Sequence, residues 1–327
     1  MINKIPFLYK KPVSFINLPL TLISLEDWAL IKLSGPDVMK YLQTQITIDI
    51  NLLQNNQHIL CCHCNAMGKM WSNLRIFKRK EYFYYIIRRD VLNLQLKEIK
   101  KYSIFSKVSI EIDNNLILLG IAGLKVRKIL LNIFNTLPNA DNQLIQKKNT
   151  TILQFNKPSE RFLIITTNKI ATKFINKLYN NIQFNNSAQW LVLEIESGYP
   201  IIDNVNSQKF IPQSTNLHML HGINFNKGCY IGQEIITRTQ FRGTNKNSMY
   251  LLEGQSKYIP KSGDTIEVKL GENWRNTGRI LTALELANKK LLIQIVMKNN
   301  LNINTKFRVS GDNTSNLINK PLSYNIK

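Results

Sequence analysis

The chain has 327 residues, 44% of them hydrophobic and 20% charged, which excludes a disordered chain and allows two or three packed units. Lys and Arg number 43 against 21 Asp and Glu, and the net charge of +22 points to an anionic partner: nucleic acid, a polyanionic cofactor or a membrane surface. The first element is a strand over residues 28–33. Ser34-Gly35-Pro36-Asp37 then starts a helix through residue 43, with Pro in the first turn and an acid near the positive helix end. Three β-rich runs follow, 58–64, 69–77 and 82–88, parted by turns at 65–68 and 78–81. Asp90 caps a helix that turns Val91, Leu92, Leu96 and Ile99 inward, and residues 105–112 return as a strand.

That order recurs. Residues 116–120 read as a strand, 124–134 as a helix, 151–155 and 161–166 as strands, and 169–178 as a helix. Two split βαβ (ferredoxin-like) units are expected, in an α+β fold with helices on one face of each sheet. Residues 187–196 form a helix that Gly198 and Pro200 end. Beyond about residue 242 short strands alternate with Gly-Asp and Asn turns: 249–252, 265–270, 279–284, 291–297 and 306–309, the pattern of a small antiparallel β-barrel. The expected division is 1–114, a first α+β domain; 115–241, a second one carrying a Lys-Gly-Cys-Tyr loop; and 242–327, the barrel.

Four cysteines make no disulfide framework in a chain of this size, and three of them crowd at Cys61, Cys62 and Cys64, which points to a reducing compartment. Lys4, Lys10 and Lys11 precede a moderately apolar run over 15–25, but Asn17 and Pro19 interrupt it and no small-residue cleavage site follows. No apolar run approaches the ~20 residues that a membrane helix needs. The expectation is a mature cytoplasmic protein without a membrane span. The Lys, Ile and Asn content of the whole chain also fits drift toward A+T-rich codons, which raises charge without a partner. Basic residues are scattered, with short clusters only at 78–80 and 100–101.

Cys61-Cys62-His63-Cys64 has metal-ligating residue types, but on a strand Cys62 and Cys64 face one way and Cys61 and His63 the other, so no metal site is expected. The most specific segment is Phe225-Asn226-Lys227-Gly228-Cys229-Tyr230-Ile231-Gly232-Gln233-Glu234, continued by Arg238 and Arg242-Gly243. Two glycines bracketing Cys229 allow a tight turn that exposes the thiol, and Lys227 beside it would favour the thiolate. Glu234 and Arg238 stand at the spacing of a helical ion pair. The plainer alternative is a glycine-rich turn before an ion-paired helix, with Cys229 as small filler.

Lys-Gly-Cys-Tyr-x-Gly-Gln-Glu with a following Arg resembles the motif of the YgfZ type within the glycine-cleavage T-protein-like (aminomethyltransferase-like) folate-binding superfamily. Leu18-Pro19-Leu20-Thr21, Asp27-Trp28-Ala29-Leu30, the run Gly68-Lys69-Met70-Trp71-Ser72-Asn73-Leu74-Arg75, Lys100-Lys101-Tyr102, Phe105-Ser106-Lys107-Val108, Phe210-Ile211-Pro212-Gln213-Ser214-Thr215-Asn216-Leu217 and Gly271-Glu272-Asn273-Trp274-Arg275 are similar too, in order and spacing. The resemblance covers essentially the whole chain. It implies a ring of three domains around a central channel that binds folate, as tetrahydrofolate or a derivative. It also implies a role in modifying some tRNAs, linked to maintenance of iron–sulfur enzymes or their assembly proteins, with a bearing on replication initiation. Direct tRNA contact through the basic surface is a further expectation.

By position the resemblance makes Trp28 and Trp190 folate contacts and Cys229 a functional thiol, with Lys227, Gly228, Tyr230, Gly232, Gln233, Glu234 and Arg238 as the supporting motif. Indole stacks well on a pterin, and a glutamate tail needs a cation; plain core packing is the alternative for each tryptophan. The chain departs from the T protein at Ser72-Asn73, where that protein carries paired acids, and an amide cannot exchange a proton as a carboxylate does. A folate-binding accessory factor rather than an enzyme is therefore expected. The alternative is a folate-dependent one-carbon transferase or demethylase that uses Glu196 or Glu234 instead. Within the YgfZ type, Asn65 and Met67 replace an Asp and a Lys.

Overall fold

Strands that are apolar at successive positions must bury both faces, and the computed structural model, which describes residues 7–299 and 305–324, uses them that way. Lys4, part of the N-terminal reading, lies outside the described residues. The chain begins with β1 (Thr21–Ser24), then runs β2 (Trp28–Ser34), α1 (Val38–Gln45), β3 (His58–Cys64), β4 (Met70–Arg79), β5 (Tyr82–Arg88), α2 (Leu92–Lys101) and β6 (Ser109–Ile112). The pattern repeats as β7 (Leu116–Ala122), α3 (Val126–Phe134), β8 (Leu144–Lys147), β9 (Thr150–Phe155), β10 (Arg161–Thr167), α4 (Asn168–Leu178) and β11 (Gln183–Asn185). The sheets are ordered β3-β4-β5-β2-β6 and β8-β9-β10-β7-β1-β11. They are the same arrangement twice, except that β1 inserts beside β7, antiparallel to it and parallel to β11.

Period-2 alternation builds three layers of core from these strands. Ala29, Ile31 and Leu33 of β2 face α1 and α2, while Trp28 and Leu30 face the other sheet. Leu163 and Ile165 of β10 meet them there, and Phe162 and Ile164 face α3 and α4. The two sheets thus pack face to face with helices outside. α5 (Ser187–Glu196) is capped by Asn186, whose side chain accepts from the Ala188 amide. It places Trp190 and Leu193 in the layer between the sheets and Val192 and Ile195 against the third unit.

After α6 (Gln233–Phe241), that third unit is an antiparallel sheet of β12 (Asn247–Gln255), β13 (Ile266–Leu270), β14 (Asn273–Thr277), β15 (Arg279–Glu285), β16 (Leu291–Lys298), β17 (Phe307–Val309) and β18 (Asn316–Lys320), in the order β14-β13-β17-β18-β12-β16-β15. Its core is closed by Leu252, Ile266, Ile293 and Phe307. The strand expected over 105–112 starts only at Ser109. Residues Ser103–Phe105 form a 3-10 turn with Ile104 and Phe105 turned outward, and the chain next docks on the loop before α1, where Asp37 accepts from the Lys107 amide.

Candidate functional site

On β4 the residues Asn73 and Arg75 share one face, toward the seam between the sheets, while Ser72 and Leu74 point the other way. Across the seam stand Phe155 of β9, Leu163 of β10, and Trp190 and Glu194 of α5; Trp28 and Arg88, register partners on β2 and β5, complete the wall. The cleft they enclose has a free volume of about 40 Å³. Its walls alternate aromatic rings and cations. The Arg75 guanidinium lies 4.7 Å from the ring centres of both Phe155 and Tyr199. Arg88 lies 4.6 Å from Trp28, and Arg161 4.3 Å from Trp190.

Several buried polar atoms of the lining have no hydrogen-bond partner among the described residues: Asn73 Oδ1, Arg75 Nη2, Arg88 Nη1 and Glu194 Oε1; Arg161 Nη1, behind Trp190, is likewise unpartnered. Such atoms are costly one at a time, and their gathering along one cleft makes it the candidate ligand site. Other atoms of the same groups are satisfied, which fixes their positions. Asn73 donates to the Pro200 carbonyl at 2.9 Å, and Arg88 grips Asp203 through Nε at 2.9 Å and Nη2 at 3.2 Å. Arg161, fully buried, lies 2.8 Å from Glu194 Oε1 in an ion pair that is off line for a hydrogen bond, and it donates to the Lys157 carbonyl and Ser197 Oγ. Burial lowers the pKa of its guanidinium, and Glu194 opposes that.

The cysteine loop covers the edge of the same sheet. Tyr230 is buried against Cys62, Cys64 and Met70, in a cluster that includes Leu60, which also lines the cleft. Lys227 is buried as well, and its ammonium donates to the carbonyls of Gln43, Ile46 and Ile48 at 2.7 Å each. Burial pushes it down to about 8, which leaves it cationic at neutral pH. Gly232 has φ +83°, and a Cβ there would lie 2.5 Å from the Asn65 carbonyl oxygen, so the loop requires glycine at that point. Gln233 Nε2 closes the loop on the Lys227 carbonyl at 3.2 Å. Between the two anchors Lys227 and Tyr230, Gly228 and Cys229 are exposed.

A family model described as "YgfZ, beta-barrel domain" matches residues 245–312. The chain is 52% identical over 326 residues to the tRNA-modifying protein YgfZ of Serratia proteamaculans (strain 568), covering 100% of this chain and 99% of that one. It is 50% identical over 327 residues to the protein of the same description from Photorhabdus laumondii subsp. laumondii, with 100% and 99% covered. The chain belongs to the YgfZ family. The glycine cleavage system aminomethyltransferase T from Bartonella henselae superposes with a TM-score of 0.75 over 94% of this chain and 85% of that one, at 14% identity. This YgfZ-family chain therefore has the T-protein fold with a C-terminal barrel, the α+β class that the sequence implies.

Three expectations about this YgfZ-family site need correction. Lys227 does not serve the thiol, because three backbone carbonyls take its charge. Among the described residues no ion pair joins Glu234 to Arg238; both are exposed on α6. Glu196 does not face the cleft. Its buried carboxylate accepts from Ser14 Oγ at 2.6 Å and the Phe15 amide at 2.9 Å, and burial raises its pKa. Glu194 is the acid in the cleft, and the sequence reading missed it; helical phase was the available signal, since Glu194 follows Trp190 by four residues and shares its face.

Cys62 and Cys64 do face one way, with their sulfurs 3.5 Å apart, while Cys61 lies in the core under α1 and α2. Burial raises the thiol pKa of Cys61 and Cys62. Under native conditions a maleimide should therefore modify one thiol, Cys229, and in denaturant all four, as counted by intact mass. Two or more native adducts forming at one rate would show that the strand cysteines open.

Proposed function

We propose that this chain acts in tRNA modification as a folate-binding accessory factor, serving the iron–sulfur enzymes that carry out the modification, rather than as an aminomethyltransferase. The role in tRNA modification is supported by full-length identity of about half to relatives described by that activity. The folate reading is carried by the cleft, where aromatic rings alternate with guanidinium groups whose buried donors are unspent. A pteridine stacks on aromatic faces, and the carboxylates of a folate tail pair with arginine. A reduced folate supplies a one-carbon carrier.

The residues fit the group, but the free volume does not with every side chain where it stands. About 40 Å³ holds no pteridine. The Arg75 guanidinium, a flat cation between two rings, occupies the stacking position and has to swing aside on binding. The reading against aminomethyl transfer is supported by Asn73, whose amide cannot relay a proton, and by the pairing of Glu194 with Arg161. Cys229 is the group we assign to contact with a partner or to thiol chemistry.

Titration with tetrahydrofolate and its derivatives should quench tryptophan fluorescence saturably, and Trp28→Ala should weaken the affinity about tenfold. Unchanged affinity in that variant assigns Trp28 to packing alone, and no saturable quenching by any reduced folate removes the folate reading. Cys229→Ser should abolish tRNA modification in cells while moving stability by no more than about 0.5 kcal/mol, as expected for an exposed side chain. Full complementation by that variant would take the thiol out of the function.

A further inference from the structure

A second pocket lies away from the cleft, where the end of α6 meets β12 and the two 3-10 turns Pro212–Thr215 and Leu217–Leu220. It has a volume of about 190 Å³, and its lining carries no Lys, Arg, Asp or Glu. Side-chain amides dominate it. Asn216 is clamped to Met249 through both ends of its amide, at 2.8 and 3.1 Å, while Asn299 accepts from Ser248 Oγ and donates to the Asn245 carbonyl. These bonds fix the wall.

Other groups in the pocket are unspent. Gln213 is 1% exposed and uses Nε2 on the Ile236 carbonyl at 2.7 Å, but its Oε1 has no partner among the described residues. His218 Nδ1 is likewise buried and unpartnered, and burial lowers the ring's pKa. Gln240, on the exposed side of α6, lines the pocket as well. Outside the pocket, the solvent face of α6 and the turn after it carry cations. Arg238 and Arg242 lie one helical turn apart, and Lys246 follows them; all three are exposed, as is the ring of Phe241 at 75%.

We infer that this pocket receives an unpaired nucleobase of single-stranded RNA, with the flanking phosphates on Arg238, Arg242 and Lys246. A neutral cavity that offers both acceptors and donors suits the edge of a base, whereas a charged ligand would find no counter-charge inside. The cations on the solvent face of the same helix suit the phosphates of a strand that runs past the pocket. The volume admits one base and is below the roughly 300–1,000 Å³ of sites for drug-sized ligands. Exposed Phe241 offers a face for a neighbouring base. The choice of RNA as the source of the nucleotide rests on the tRNA reading given above; the pocket chemistry does not.

The test is fluorescence anisotropy on the full chain with a labelled 12-nucleotide single-stranded RNA, a duplex of the same length, and unlabelled nucleoside monophosphates as competitors. The single strand should bind more tightly than the duplex. Gln240→Ala with His218→Ala should weaken the single strand about tenfold and leave the duplex unchanged. Arg238→Gln and Arg242→Gln should weaken both and flatten the salt dependence of single-strand binding by about 0.7 per cation removed. Gln240→Ala alone changes an exposed side chain and keeps the test open if His218→Ala fails to fold.

Equal binding of strand and duplex, or a folded pocket variant that binds the strand as wild type does, overturns the inference. Competition by monophosphates at the affinity of the strand makes the ligand a free nucleotide and overturns the RNA assignment. Cells separate the two readings. If deletion of the chain leaves tRNA modification intact, the proposed function falls; if deletion abolishes modification and the pocket variant restores it, only the pocket falls.

Discussion

Lys227→Met should lower the unfolding free energy by about 3 kcal/mol, although the change deletes a buried charge. The ammonium sits where α1 ends: Gln43 lies in the last turn, Ile46 is the C-cap and Ile48 follows it. Carbonyls at that end have no partner within the helix and form its negative pole. A side chain from a loop more than 170 residues later thus caps α1 and ties the loop to it. Three carbonyls left bare, two of them buried, cost about 1–3 kcal/mol each, and relief of the ammonium's desolvation, several kcal/mol, offsets only part of that. For a chain of this size the melting temperature should fall by roughly 4–5 °C. Lys227→Arg should not rescue it, since a planar fork cannot reach three carbonyls that converge on a point. A melting temperature within about 1 °C of wild type for Lys227→Met would show that the loop is held by Tyr230 and its backbone contacts without the ammonium.

Lys227 also marks where sequence reading stopped. Its neighbours in the chain suggested a thiol partner, and its neighbours in space, contributed by residues 43–48, could not be read from spacing. Strands buried on both faces were legible because Val, Ile, Leu and aromatic residues continue through them, as in 82–88 and 161–166. β1 was not legible: Thr21–Ser24 has only four residues, and its partner β7 lies about 100 residues on. β8 and β18 were hidden by polar residues on their exposed sides. Trp28 and Trp190 were singled out through the resemblance, and the structure places both along the cleft. Arg75, Arg88 and Glu194 line the cleft and were missed because no local motif marks a cation or acid whose partners come from distant parts of the chain. The amide pocket on α6 was missed for a related reason, since Asn is common throughout this chain and gives no contrast.

Trp190→Ala should cost about 3–5 kcal/mol, the range for removing a large buried aromatic, and should abolish folate titration by loss of fold rather than loss of a contact. Three neighbours fix the indole. A Cβ on Gly120 of β7 would lie 2.5 Å from its Cε3, so the ring rests on bare backbone. Phe155 meets it edge-on, with centroids 5.5 Å apart at 90°, and the buried Arg161 guanidinium covers it at 4.3 Å. Deleting the ring opens a cavity and strips a buried cation of its aromatic face. Gly120→Ala should reproduce much of this loss from the opposite side, because its methyl claims the space of the indole edge. Combining Gly120→Ala with Trp190→Phe should then cost less than the sum of the two single changes, since the smaller ring makes room for the methyl. Additive costs in that cycle would mean that Trp190 does not bear on β7. Trp28 differs: one face is open to the cleft and to the Arg88 guanidinium, so its truncation should register in affinity more than in stability.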